Sequence, residues 1–165
     1  MGPGFTGLMQ DISRLGSRGA VLAAGAVIAL ALLLRKRWQD TALLLLAYGG
    51  GEMTVSFLKS YCQRPRPAAP LVLVHGYSFP SGHALNIMLI CGFMTYLLWP
   101  VWRRAWARGL TLAAALCLIV LVGFSRIYLR AHWLDDVLAG YAIGLAWLLI
   151  SKRLTGAILP KPKRC

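Results

Sequence analysis

The residues of this chain best suited to chemistry fall in three short strings: Lys59 with Arg66 and Pro67, then Pro80-Ser81-Gly82-His83, then Ser125-Arg126 with His132 and Asp136. Together they bring three permanent cations, two imidazoles and one carboxylate. Arginine offers a planar fork, and lysine a point charge, to the oxygens of a phosphate. One imidazole can attack phosphorus and the other can protonate the leaving oxygen. Phosphoryl transfer asks for such a set: positive charge around the equatorial oxygens, with attacker and leaving group in line.

Each string also has a plainer reading. Lys59 closes an apolar run, where a lysine can lay its stem along lipid and keep its ammonium at the interface. Pro67 stiffens the chain behind Arg66. Pro80-Ser81 reads as a helix start, with proline in the first turn and serine as cap. Gly82 lets a ligand approach the backbone, and the free amides of a helix start attract anions. His132 and Asp136 are four apart and share a face of any helix that includes them. A carboxylate on one ring nitrogen fixes the tautomer and supports the imidazolium, leaving the other nitrogen to attack. Asp135 is the rival partner, but its side chain points about a quarter-turn away, which favours Asp136. Arg126 adds a second guanidinium. Arg64 and Arg130 flank the strings as accessory candidates, either for a second phosphate or sugar headgroup or as solvated rim charges. His75 reads as a surface histidine. Glu52, two turns before Lys59 in an apolar run, is a functional candidate, an ion-pair partner for an interface cation, or a protonated acid in a helix contact.

The elements that must position these residues are helices in a bilayer. Of 165 residues, 58% are hydrophobic, and the mean hydropathy is +0.64, too apolar for an ordinary soluble domain. Lys and Arg outnumber Asp and Glu by 18 to 5. In so apolar a chain this excess points to membrane topology and anionic ligands, not to nucleic acid. Cys62, Cys91, Cys117 and Cys165 show neither ligand spacing nor a disulfide framework, and with few His and acidic residues no metal and no cofactor are expected. With about 20 apolar residues per crossing, five spans are expected, at 19–34, 41–58, 83–102, 110–124 and 136–150. The expected fold is therefore all-α, a polytopic transmembrane bundle. Residues 1–18 form an amphipathic interfacial helix through Phe5, Leu8, Met9, Ile12 and Leu15. Residues 19–151 form the transmembrane domain, and residues 152–165 a basic cytoplasmic tail.

Loop charge sets the orientation. Arg35, Lys36, Arg37, Arg103, Arg104, Arg108, Lys152, Arg153, Lys161, Lys163 and Arg164 gather on one side. Only Arg14, Arg18, Lys59, Arg64, Arg66, Arg126 and Arg130 lie on the other. The richer side is cytoplasmic, so all three strings face outward. Five spans put the N-terminus outside without a signal peptide, which leaves open whether the chain is a fragment or one part of a longer protein that supplied an earlier span. The loop 60–79, broken by Pro65, Pro67, Pro70 and Gly76, arches over the site. Gly140 and Gly144 have the spacing of a close helix contact. Trp99, Trp102, Trp106 and Trp133 read as interfacial aromatics.

As a set, Lys-x6-Arg-Pro, Pro-Ser-Gly-His and Ser-Arg-x5-His-x3-Asp resemble the three signature motifs of the type 2 phosphatidic acid phosphatase superfamily, the membrane lipid phosphate phosphatases. Every motif position is matched, and the resemblance covers residues 15–150. It implies that Lys59, Arg66, Ser81, Gly82 and Arg126 bind phosphate, that His83 is the general acid, and that His132 is the nucleophile oriented by Asp136. It further implies metal-independent hydrolysis and, in bacteria, an inner-membrane protein with a periplasmic site. Undecaprenyl diphosphate, phosphatidylglycerophosphate, phosphatidate and a lipid A phosphate are the candidate substrates. The departure is in span count, since members usually have six helices and the first is missing from this reading. Lipid phosphotransfer, or anionic-lipid binding or transport without turnover, are the alternatives. Oligomeric state is left open.

Overall fold

A computed structural model describes residues 3–158, and these are folded as six α-helices with no strand among the described residues. They are α1 (Pro3–Arg14), α2 (Arg18–Leu34), α3 (Trp38–Cys62), α4 (Gly82–Leu98), α5 (Ala105–Tyr128) and α6 (Leu134–Ile158). The helices α3, α5 and α6 are long and apolar enough to cross a membrane, as is the stretch ending in α2, while α4 is shorter. Large apolar side chains such as Met53, Leu110, Val120 and Leu138 stay exposed around the bundle. A bilayer would cover that apolar band, so the chain is an integral membrane protein.

Local sequence sets the helix limits. Ser17 caps α2, accepting from the Ala20 amide at 3.3 Å, and so separates α1 from α2. The basic turn 35–37 reverses the chain, with Lys36 at φ 56°. Gln63 closes α3 in the left-handed conformation just before Pro65, where a helix cannot continue. Ser81 caps α4, and Asp135 and Asp136 occupy the first turn of α6, where the helix dipole favours acids.

The observed helices are longer than the expected spans wherever polar residues extend an apolar run, as Trp38-Gln39-Asp40 and Lys59-Ser60 do in α3. The irregular loop therefore begins at residue 63 rather than 60. Likewise α6 continues through Ile158, so the first seven residues of the expected tail are helical, and 159–165 lie outside the described residues. The expected apolar face of α1 is divided. Met9 and Ser13 are buried, whereas Phe5, Leu8 and Leu15 remain exposed at the rim.

Close packing of α4 on α6 brings two of the strings together. A Cβ on Gly140 would meet the Ser81 carbonyl at 2.5 Å and Ala84 Cβ at 2.9 Å, and one on Gly144 would meet Met88 at 3.0 Å. Small residues here let the backbones approach. One turn before Gly140, the Asp136 carbonyl accepts the Ser81 amide at 2.9 Å. The far end of the bundle is tied separately, by Tyr96 Oη donating to Asp40 Oδ1 at 2.9 Å and by Lys152 over the Tyr96 ring.

Candidate active site

The 63–81 loop, the 129–133 turn and the start of α4 meet at one end of the bundle. Arg66 organises the loop. Its Nε donates to the Gly76 carbonyl at 2.9 Å, and one terminal nitrogen donates to the His75 and Tyr77 carbonyls at 2.9 and 3.1 Å. The other donates to the Ala131 carbonyl at 2.7 Å and lies 3.4 Å from His132 Nε2. The fork expected to face a phosphate is thus turned largely onto backbone carbonyls, while its charge remains beside the imidazole. Lys59 Nζ behaves similarly, donating to the Tyr77 carbonyl at 2.8 Å.

His132 is buried. Its Nδ1 lies 3.5 Å from Asp136 Oδ2, an electrostatic contact at the limit of hydrogen bonding, and Nδ1 has no other partner among the described residues. Catalytic contacts of this kind commonly tighten when substrate binds. Asp136 is itself fully buried and doubly held: Oδ2 accepts the Trp133 amide at 2.9 Å and Oδ1 accepts Arg64 at 3.0 Å. Asp135 is exposed and pairs with the same Arg64 nitrogen. Arg64 is therefore engaged with both acids, where the sequence left it as a second-phosphate candidate or rim charge.

Arg126 is buried in the last turns of α5. It donates to Ser13 Oγ of α1 at 2.7 Å, and its Nε has no partner among the described residues. Ser81 is buried, with Oγ accepting the Ala84 amide at 3.4 Å, which leaves the hydroxyl hydrogen free to donate. Gly82 and His83 open α4 beside it. Burial, followed by the positive charges of Arg126, Arg66 and Lys59 and then by the His83 ring, pushes the proton affinity of His132 well below its ordinary value. All three motif cations and both imidazoles thus act on one locality. Burial also lowers the proton affinity of Arg66, and the Asp136 charge partly offsets this.

The remaining candidates make other contacts. Arg130 is exposed at φ 52°, and Glu52 pairs with Arg18. His75 contributes its carbonyl to Arg66. Sequence reasoning missed Ser13, the Trp133 amide, and Asn86. Asn86 is buried one turn after His83, and its amide donates to the Gly16 carbonyl at 3.4 Å. A lone asparagine in an apolar helix was a usable signal for the last. Nothing marked Ser13. Among the described residues, no three His, Cys, Asp or Glu side chains are grouped as metal ligands.

Fold and site together define a polytopic helical membrane protein with a buried His–Asp pair among fixed cations at one rim. The family model described as the PAP2 superfamily matches residues 40–159, and the chain belongs to that family. Phosphatidylglycerophosphatase B of Bacillus subtilis is 31% identical over 154 residues, which is 91% of this chain and 75% of that protein. Undecaprenyl-diphosphatase of Sulfolobus acidocaldarius is 36% identical over 102 residues, 60% of this chain but only 41% of that protein. Among solved structures, a transmembrane PAP2 type phosphatidylglycerolphosphate phosphatase from Bacillus subtilis superposes with a TM-score of 0.86 at 32% identity, covering 99% of this chain and 82% of that one. Aquifex aeolicus LpxE shares the fold at a TM-score of 0.73 and 24% identity, over 93% of this chain and 88% of its own.

Proposed function

We propose that this protein is a lipid phosphate phosphatase that removes the terminal phosphate of an anionic membrane lipid, without a metal ion, through a phosphohistidine on His132. Lys59, Arg66 and Arg126 gather positive charge around the phosphate oxygens, and the Ser81 hydroxyl and the amides opening α4 donate to them. With its proton on Nδ1 toward Asp136, His132 attacks phosphorus through Nε2. The N–P bond forms, the bond from phosphorus to the lipid oxygen breaks, and that oxygen takes a proton from His83. Water then gives a proton to His83 and attacks phosphorus, releasing inorganic phosphate and free His132. The charge asymmetry of the loops supports a site on the outer face, periplasmic in a bacterial inner membrane.

The observation that carries this reading is the setting of His132, whose ring lies between the Asp136 carboxylate at Nδ1 and the Arg66 guanidinium at Nε2. The test is phosphate release by purified protein in detergent from phosphatidylglycerophosphate, undecaprenyl diphosphate and phosphatidate. His132→Ala is expected to lower release on the order of 10³-fold or more while lipid still binds. Quenched turnover should leave an acid-labile, alkali-stable phosphoprotein, and EDTA should not inhibit. Retained turnover in His132→Ala, or EDTA inhibition reversed by a divalent ion, would overturn the mechanism. Transfer of labelled phosphate to a second lipid instead of water would make the protein a phosphotransferase.

A further inference from the structure

Arg18, at the start of α2, pairs with Glu52 of α3. The arginine side chain is 67% exposed and the glutamate only 15%. Together with Leu22, Tyr48, Met53 and Ser56 they line an open cavity of about 500 Å³ between α2 and α3. Two connections tie this cavity to the catalytic pocket. Ser56 lies within one turn of Lys59 on α3. Gly16, two residues before Arg18, is packed so closely on the start of α4 that a Cβ there would come 2.9 Å from the His83 carbonyl. Seven residues of α3 separate Glu52 from Lys59, a rise of about 10 Å into the bundle. An ionised pair at that depth is costly to maintain, and Glu52 serves no step of the reaction at His132.

We propose that Arg18 and Glu52 form a second headgroup subsite, which reads the phosphodiester and glycerol of the lipid while its terminal phosphate occupies the catalytic pocket; this rests on the phosphatase reading. Arg18 gives one nitrogen to Glu52, leaving the rest of its fork for the non-bridging oxygens of a phosphodiester. Glu52 accepts a glycerol hydroxyl. Leu22 and Met53 meet the beginning of an acyl chain. A cation and an anion side by side match a headgroup that carries both a charged diester and a hydroxyl donor. Reach selects the class. In phosphatidylglycerophosphate a three-carbon glycerol separates the two phosphorus atoms, in a diphosphate a single oxygen does, and phosphatidate has no second phosphorus. Only the first extends from Lys59 toward Arg18, with the long side chains closing the remaining distance.

The experiment compares dioleoyl phosphatidylglycerophosphate with dioleoyl phosphatidate in detergent micelles, using the full chain. The selectivity between them, as a ratio of kcat/KM, should fall about tenfold in Arg18→Ala, the worth of one charged hydrogen bond. Arg18→Lys should recover part of it, and Glu52→Gln should show a smaller fall. In a His132→Ala background, direct binding should favour phosphatidylglycerophosphate, and Arg18→Ala should erase that preference. Equal losses on both lipids would reduce the pair to a helix-to-helix tie, and unchanged selectivity would overturn the subsite. If the unmutated protein releases phosphate from neither of these lipids nor from undecaprenyl diphosphate, the phosphatase reading fails on its own, and the binding comparison still decides the subsite.

Discussion

The Arg126 guanidinium donates a 2.7 Å hydrogen bond to Ser13 Oγ, so α1 holds the cation that the proposed mechanism sets against phosphate. Both partners are buried, and Arg126 Nε has no partner among the described residues, leaving a donor for an anion. Ser13 is thus a positioning residue that acts through Arg126. Ser13→Ala is expected to raise KM about three- to tenfold with a smaller change in kcat, the scale of one neutral-to-charged hydrogen bond. Ser13→Thr should restore most of it. A fall in kcat alone, or no rescue by threonine, would show that α1 matters only for folding.

The two adjacent acids should separate sharply on mutation. Asp136 is buried with both oxygens committed, one of them facing His132, whereas Asp135 is 64% exposed and meets only Arg64 among the described residues. Asp136→Asn keeps the shape but removes the charge that supports an imidazolium, and should cost on the order of 10²- to 10⁴-fold in kcat. Asp135→Asn should cost less than about threefold, as befits an exposed pair. Initial-rate measurements on both variants decide it, and similar losses would mean that Asp136 does not orient the nucleophile.

The three strings stood out because their residue types and spacing, as in His132 and Asp136, are those that phosphoryl chemistry would ask for. The bundle was legible because long apolar runs have few alternatives. Partners joined only through the fold were not. Ser13 looks like any polar residue of a surface helix, and only the packing of α1 against α5 brings it to Arg126. Arg64 could not be assigned to Asp135 and Asp136 without the path of the 63–81 loop. Glu52 had three readings, and its pairing with Arg18 depends on how α2 lies along α3. Most helix ends were underestimated because hydropathy fades before hydrogen bonding does, as at Trp38 and Cys62, whereas the third span was overrun, since α4 stops at Leu98, two residues before Pro100, and not at 102.

His132 sits in the turn between α5 and α6, and its proton affinity is held below the ordinary value of 6.5, first by burial and then by Arg126, Arg66 and Lys59. The unfolded chain therefore takes up a proton near pH 6.5 that the folded ring resists. Stability from this group is complete above that pH and declines as pH falls toward the folded value. Without phosphate ligand, Tm should hold steady at neutral pH and drop through the mildly acidic range, with a shallower drop in His132→Gln. His132, the proposed nucleophile, should also stay unprotonated at neutral pH, so kcat/KM should show no acid limb from it at its ordinary value. Identical Tm–pH slopes in the two proteins would contradict this account.

Gly140 sets how closely the serine–histidine string of α4 approaches the aspartate of α6. A Cβ at this position would meet the Ser81 carbonyl at 2.5 Å and the Leu85 amide nitrogen at 3.1 Å, both backbone atoms that cannot rotate aside. Gly140→Ala must push the helices apart, at a cost of about 1–3 kcal/mol typical of overpacking. It must also strain the 2.9 Å bond from the Ser81 amide to the Asp136 carbonyl. Stability and kcat should therefore fall together. Gly25→Ala is the control, because a Cβ there meets nothing within 4 Å and alanine favours a helix over glycine. Thermal unfolding in detergent, paired with phosphate-release rates, should place Gly140→Ala well below Gly25→Ala on both axes. If the two variants behave alike, the close approach of α4 and α6 at this point does not hold the site together.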